Sequence, residues 1–186
     1  MRKLPDNFHV TKYGLNVRLV NEDDAMFIVK LRTDPKLGRY IHSTDSDVEQ
    51  QKLWIKKYKI REFEGKEYYF IFSIDHVDLG VYRLYDIEDD RFVSGSWVFR
   101  PDAPQGAGIL GCIIGREIAY EILGLNRNFV DVRKQNKSSL KFQLSFDPIF
   151  LREDAENLYF EHVKENFYAR KKQYIQLCTR FLSSKK

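Results

Sequence analysis

Six consecutive residues, Gly106-Ala107-Gly108-Ile109-Leu110-Gly111, carry the strongest chemical signal in the chain. Glycines let a backbone approach an anion closely, and the apolar run behind them starts a helix whose N-terminus favours negative charge. The stretch therefore reads as a pyrophosphate cradle. Taken literally it is G-x-G-x-x-G, the turn of a dinucleotide-binding fold. It is also a glycine-rich turn of the kind that offers bare N–H groups to the pyrophosphate of coenzyme A.

The surroundings separate these two chemistries. A dinucleotide site expects an acidic residue about 20 positions beyond the glycines to hold the ribose, and Asp131 meets that condition. The glycines should also follow a buried strand directly, yet Arg100-Pro101-Asp102-Ala103-Pro104-Gln105 intervenes after Phe99. The strands upstream pair as hairpins, and too little chain follows Asp131 to complete a doubly wound sheet. The dinucleotide reading fails on context.

The elements that must position the turn are legible from periodicity. Leu15–Leu19 alternates as a short strand, and Asn21-Glu22-Asp23-Asp24 starts a helix that runs to Asp34-Pro35. A second helix follows Ser43–Asp47 and ends before Gly65. Tyr68–Ile74, Leu79–Asp86 and Phe92–Phe99 read as an antiparallel meander, with turns at Asp75–Asp78 and Ile87–Arg91. Leu110, Ile113, Ile114, Ile118, Ile122 and Leu123 form the clearest helical stripe, stopped by Gly124. Phe129–Val132 is a strand, Lys137–Leu144 a helix, Leu158–Phe160 a late strand, and roughly Lys164–Leu182 a tail helix. The fold class is α+β around a mixed, mostly antiparallel sheet.

Composition narrows the function. With 43% hydrophobic residues, 15% aromatic and a formal charge of +4, the 186 residues suit one folded domain and no nucleic-acid footprint. Cys112 and Cys178 form no metal pattern and suit a reducing compartment. No apolar run approaches the roughly 18 residues that span a bilayer, and the first residues lack a signal peptide's apolar core. The expectation is a cytoplasmic protein without a metal or a membrane partner.

Ala103-Pro104-Gln105-Gly106-Ala107-Gly108 between a strand and a long helix, followed by a strand and Asn136-Lys137-Ser138-Ser139, resembles the Gcn5-related N-acetyltransferases. Their hallmark is Arg/Gln-x-x-Gly-x-Gly/Ala. Here Gly106 and Gly108 match, while Ala103 departs from Arg/Gln. The front end, Val17-Arg18-Leu19 with Glu22–Ala25 and Leu31-Arg32-Thr33-Asp34-Pro35, is similar to members that acetylate amino sugars or ribosomal-protein N-termini. The resemblance covers about residues 15–165. It implies one acetyltransferase domain over 1–186, with a C-terminal helix at about 165–183 that packs on the sheet or builds a homodimer contact.

The resemblance also implies roles. Gln105, Gly106, Ala107, Gly108 and Ile109 would hold the acetyl-CoA pyrophosphate. Val98 and Phe99 would pair with the pantetheine arm, with Asn136 and Ser139 on its other side. Asn136 is equally well explained as a helix N-cap, and both can hold at once. The family often places a proton-donating Tyr seven residues after the Asn; here that residue is Gln143, and the usual following Gly-Phe is missing. His42, Tyr82 and Trp97 are the candidates on the acceptor side, beside Asp75, His76, Asp78 and Glu88 in hairpin turns. Cys112 suggests a covalent acetyl-cysteine route on paper, against the plainer reading of a small buried residue.

Acetyl transfer by direct attack of a primary amine follows from this. A nucleotide-linked amino sugar suits the aromatic residues and the cations Lys56, Lys57 and Arg83. The alternatives are a protein N-terminus and a non-catalytic CoA-binding protein on the same fold. Assigning the pyrophosphate to Gly106 and Gly108 predicts that Gly108→Val abolishes acetyl-CoA binding, whereas Gly111→Ala is tolerated.

Overall fold

The computed structural model of the protein describes residues 2–41 and 44–183. Eight strands are present: β1 (His9–Lys12), β2 (Leu15–Leu19), β3 (Tyr68–Ile74), β4 (Val77–Glu88), β5 (Arg91–Phe99), β6 (Arg127–Arg133), β7 (Ile149–Glu153) and β8 (Asn157–His162). They form one sheet in the order β1-β2-β3-β4-β5-β6-β8-β7. Every pair is antiparallel except β5 with β6.

Helices cover both faces. On one face lie α1 (Ala25–Thr33) and α2 (Val48–Glu64), packed over Tyr69, Ile71, Val81 and Val98. On the other lie α3 (Ala107–Glu117), α4 (Lys137–Leu144) and α5 (Lys164–Ser183), packed over Phe70, Phe72, Tyr82 and Leu84. This explains why β3 is an unbroken apolar run: both of its faces are buried.

The local signals work as expected. Asn21 and Asp24 form a reciprocal capping box ahead of α1, Asp47 caps α2, and Gly65 and Gly124 take left-handed conformations at helix ends. After α3 the helix widens over Ile118–Ile122 before Gly124.

Two expectations need correction. Strands β1 and β7 carry no core-facing alternation; β1 is exposed or half-buried and all five residues of β7 are exposed, so periodicity could not reveal them. The first hairpin turn is only Asp75-His76, both at positive φ, which places Asp78 inside β4.

The tail helix is part of the core. Phe167 and Cys178 of α5 are buried against the α3 side of the sheet. A β-carbon added to Gly106 would lie 2.7 Å from the Cys178 Cβ, so α5 backs directly onto the glycine turn.

Helix α3 lies unusually close to the sheet. A β-carbon on Gly111 would fall 2.4 Å from Phe99 Cζ, and one on Gly115 2.3 Å from Tyr82 Cδ1. Glycine at these positions lets the rings of β4 and β5 fill the helix–sheet gap. This spacing argues against the expected tolerance of Gly111→Ala, because the Phe99 ring would have to move.

Among the described residues no helix is long and apolar enough to cross a membrane, and no group of His, Cys, Asp or Glu could hold a metal ion.

Candidate active site

Strands β5 and β6 pair over only three positions, Arg91 with Arg127 through Val93 with Phe129. Beyond them the ladder stops. The cause lies on β5: opposite Tyr82 of β4, the ladder jumps from the Arg83–Gly95 pair to the Val81–Val98 pair, a β-bulge. Ser96 sits in it at φ 48°, a left-handed conformation. A bulge bends its strand and re-aims the side chains around it.

The divergence opens a narrow crevice lined by Tyr82, Ser94–Trp97, Val130–Arg133, Asn136, Ser139 and Gln143. It meets a larger cleft of about 740 Å³ on the α1/α2 side. Tyr40, Ile41, Gly95, Ser96, Asp131 and Arg133 line both spaces. The Ser96 hydroxyl accepts a hydrogen bond from Arg32 of α1 at 3.0 Å, which braces the bulge at this junction.

The glycine turn lies next to Trp97, one of the crevice residues. Gly106, at φ 89°, precedes α3, whose N-terminus has no side-chain cap. The Ala107 amide bonds Pro104 O, leaving the Gly108 and Ile109 amides at the open first turn. A β-carbon on Gly108 would meet nothing closer than 3.5 Å, and Gln105 is exposed. These features fit a pyrophosphate group.

The structure brings most expected residues together. Trp97 Nε1 donates to Gly108 O at 2.8 Å, tying the crevice to the turn. Asn136 caps α4 by accepting from the Ser139 amide at 3.1 Å, and both residues line the crevice. Val98 and Phe99 pair with Val81 and Gly80 on the β4 side of β5. Tyr82 and Trp97 line the crevice and not the larger cleft. His42 lies outside the described residues. Asp75, His76, Asp78 and Glu88 line neither space; Asp78 pairs with Arg18 and Glu88 with Arg91.

Of the groups in the larger cleft, sequence reasoning had singled out Lys57 and Arg83 as cations, but not Arg32, Tyr85, Asp45 or Arg133. Arg83 bonds the buried Glu67 and stands between the Trp54 and Tyr85 rings, 5.0 and 4.7 Å from their centroids. Lys57, Arg32 and Arg133 add positive charge, and Asp45 and Asp131 negative charge. Lys56 instead faces Glu22. Burial, and next the Asp131 carboxylate, push the Tyr85 phenol up to about 12, so it stays neutral. Asp131 was visible only as a misleading dinucleotide signal; its position at the junction depends on how β5 and β6 diverge.

Cys112 is fully buried, and burial raises its thiol above the usual range. Its Sγ sits 3.8 Å from the Tyr82 hydroxyl. A protonated, inaccessible thiol is a packing residue and not a nucleophile.

A splayed mixed sheet, an uncapped glycine turn and a crevice that opens on a second cleft define an enzyme that carries an acyl group from a coenzyme A thioester to an acceptor. A family model described as an acetyltransferase (GNAT) domain matches residues 15–145. The chain belongs to this family and is an acetyl-CoA-dependent N-acetyltransferase.

No curated protein matches the chain. Among solved structures, the apo form of FdhC, titled a nucleotide-linked sugar GNAT, is 33% identical, with a TM-score of 0.82 over 92% of this chain and 99% of its own. The ribosomal-protein-S5-alanine acetyltransferase from Vibrio fischeri is 12% identical, with a TM-score of 0.73 over 87% and 99%. Mycobacterium smegmatis RimJ, in complex with CoA-disulfide, is 14% identical, with a TM-score of 0.69 over 88% and 86%. The last two share the fold.

Proposed function

We propose that the acceptor is the amino group of a nucleotide-linked amino sugar, acetylated by direct attack within one domain spanning the chain. The observation that carries this reading is the make-up of the larger cleft. It combines aromatic faces from Trp54, Tyr85 and Tyr40 with the cations Lys57, Arg83 and Arg32. Stacking suits a base or sugar ring, and the cations suit a diphosphate. A volume near 740 Å³ is in the range of small-molecule sites and accommodates a ligand of this size. The 33% identity to a nucleotide-linked sugar GNAT supports the same choice.

Acetyl-CoA supplies the acyl group as a thioester, with Gly108 and Ile109 amides at its pyrophosphate. Asp131 stands where the two spaces join and takes a proton from the incoming ammonium. The neutral nitrogen then bonds to the carbonyl carbon, the C–S bond breaks, and its electron pair stays on sulfur. The nitrogen's second proton passes to solvent. Holding the two reactants at one junction supplies most of the rate gain available without a covalent intermediate.

Thiol release from acetyl-CoA, measured over a panel of nucleotide amino sugars, free amino sugars and N-terminal peptides, tests the reading. Turnover with nucleotide sugars alone is expected. Preferential turnover of peptides would replace the sugar with a protein N-terminus.

A further inference from the structure

Arg116 on α3 is completely buried and makes no ion pair among the described residues. Around it stand Cys112 and Tyr120 from its own helical segment, Tyr82 from β4, Gln143 from α4 and His162 from β8. Phe146 and Phe167 place their rings 5.3 and 5.9 Å from the guanidinium. Its Nε and Nη1 make no hydrogen bond to the described residues. A buried, uncompensated charge is costly, and an apolar residue would serve packing better.

One nitrogen is committed. Arg116 Nη2 donates to Gln143 Oε1. A guanidinium has no acceptor, so it can bind only the oxygen end of the amide. With Oε1 engaged, the NH₂ group is the donor left to Gln143, a residue that lines the crevice together with Tyr82. Tyr82, Ser94 and Gln143 are the buried polar side chains along that passage.

We propose that Gln143, oriented by Arg116, donates an N–H hydrogen bond to the thioester sulfur as the C–S bond breaks. The proposal rests on the acetyl-transfer reading but not on the identity of the acceptor. Gln143 keeps its proton. The electron pair of the broken bond remains on sulfur, stabilised by the amide N–H and the buried positive charge behind it, and water supplies the proton that completes the thiol. Arg116 is a positioning residue in this arrangement, and Gln143 touches the reacting atom.

The test uses the full chain and reduced coenzyme A, with no acceptor present. The thiolate absorbance of the bound thiol is followed against pH. In the unmodified protein the bound thiol should ionise at a pH about one unit below that of free coenzyme A, a tenfold shift. Gln143→Met, which keeps the length but loses the donor, and Gln143→Glu, which presents an acceptor, should each remove the shift. Coenzyme A affinity at acidic pH should change by less than about threefold in both. Arg116→Gln should also remove the shift; should it fail to fold, the two Gln143 variants carry the test. An unshifted thiol in the unmodified protein, or a shift that survives Gln143→Met, overturns the proposal while leaving acetyl transfer intact. Failure to bind coenzyme A at all would overturn both.

Discussion

The Phe99 ring occupies the space a β-carbon on Gly111 would need, with its Cζ 2.4 Å from that position. The ring cannot retreat easily, because it also covers Gly80 and packs on Phe72 at 5.5 Å. Gly111→Ala should therefore destabilise the protein by about 1–3 kcal/mol through overpacking. At Gly108 the nearest atom is 3.5 Å away, an ordinary contact. Gly108→Ala should keep the melting temperature and weaken coenzyme A binding. Thermal unfolding and titration calorimetry on both variants separate the two effects; a stable Gly111→Ala protein would contradict this packing.

Asp131→Asn should lower kcat by about 10²–10³ while coenzyme A affinity stays unchanged, since the residue faces the junction and not the glycine turn. The loss should shrink as pH rises and the acceptor amine deprotonates in solution. A pH-independent loss would assign Asp131 to structure instead.

Lys57 lines the larger cleft, the proposed acceptor site, and makes no ion pair among the described residues. Lys57→Met should raise KM for a nucleotide sugar about tenfold, as expected for one charge-assisted contact, with kcat nearly constant. An unchanged KM would remove Lys57 from diphosphate binding.

Burial, and next the Arg116 charge, hold the His162 imidazole down at about 2, against an ordinary value of 6.5. The native state therefore keeps His162 neutral, while the unfolded chain binds a proton below pH 6.5. Stability should be full above that pH and fall by up to roughly 1.4 kcal/mol per unit on acidification below it. His162→Gln should flatten the acid limb of a plot of melting temperature against pH. An unaltered limb would place the acid sensitivity elsewhere.

Much of the secondary structure could be read locally. Asn21 with Asp24, Asp47 and Gly65 write helix ends into short stretches of chain, and β3 to β5 announce themselves by dense β-forming residues around short turns. Edge strands β1 and β7 escaped because exposed strands need no apolar alternation. Tyr82 and Trp97 were singled out as aromatics on adjacent strands, but that they share the crevice with Asn136 follows only from the bulge at Ser96-Trp97.

The sequence by itself pointed to the glycine turn proposed for the cofactor, because pyrophosphate binding uses consecutive backbone amides and glycines that a short motif must spell out. Only the tertiary structure decided what stands around the reacting atoms. Asp131 reaches the junction because β6 leaves β5 after three pairs. Arg116 meets Gln143 and His162 across 27 and 46 positions of chain. The role of Gly111 likewise depends on the Phe99 ring of a separate strand. Such contacts arise from packing between elements distant in the chain, and no local spacing of residue types encodes them.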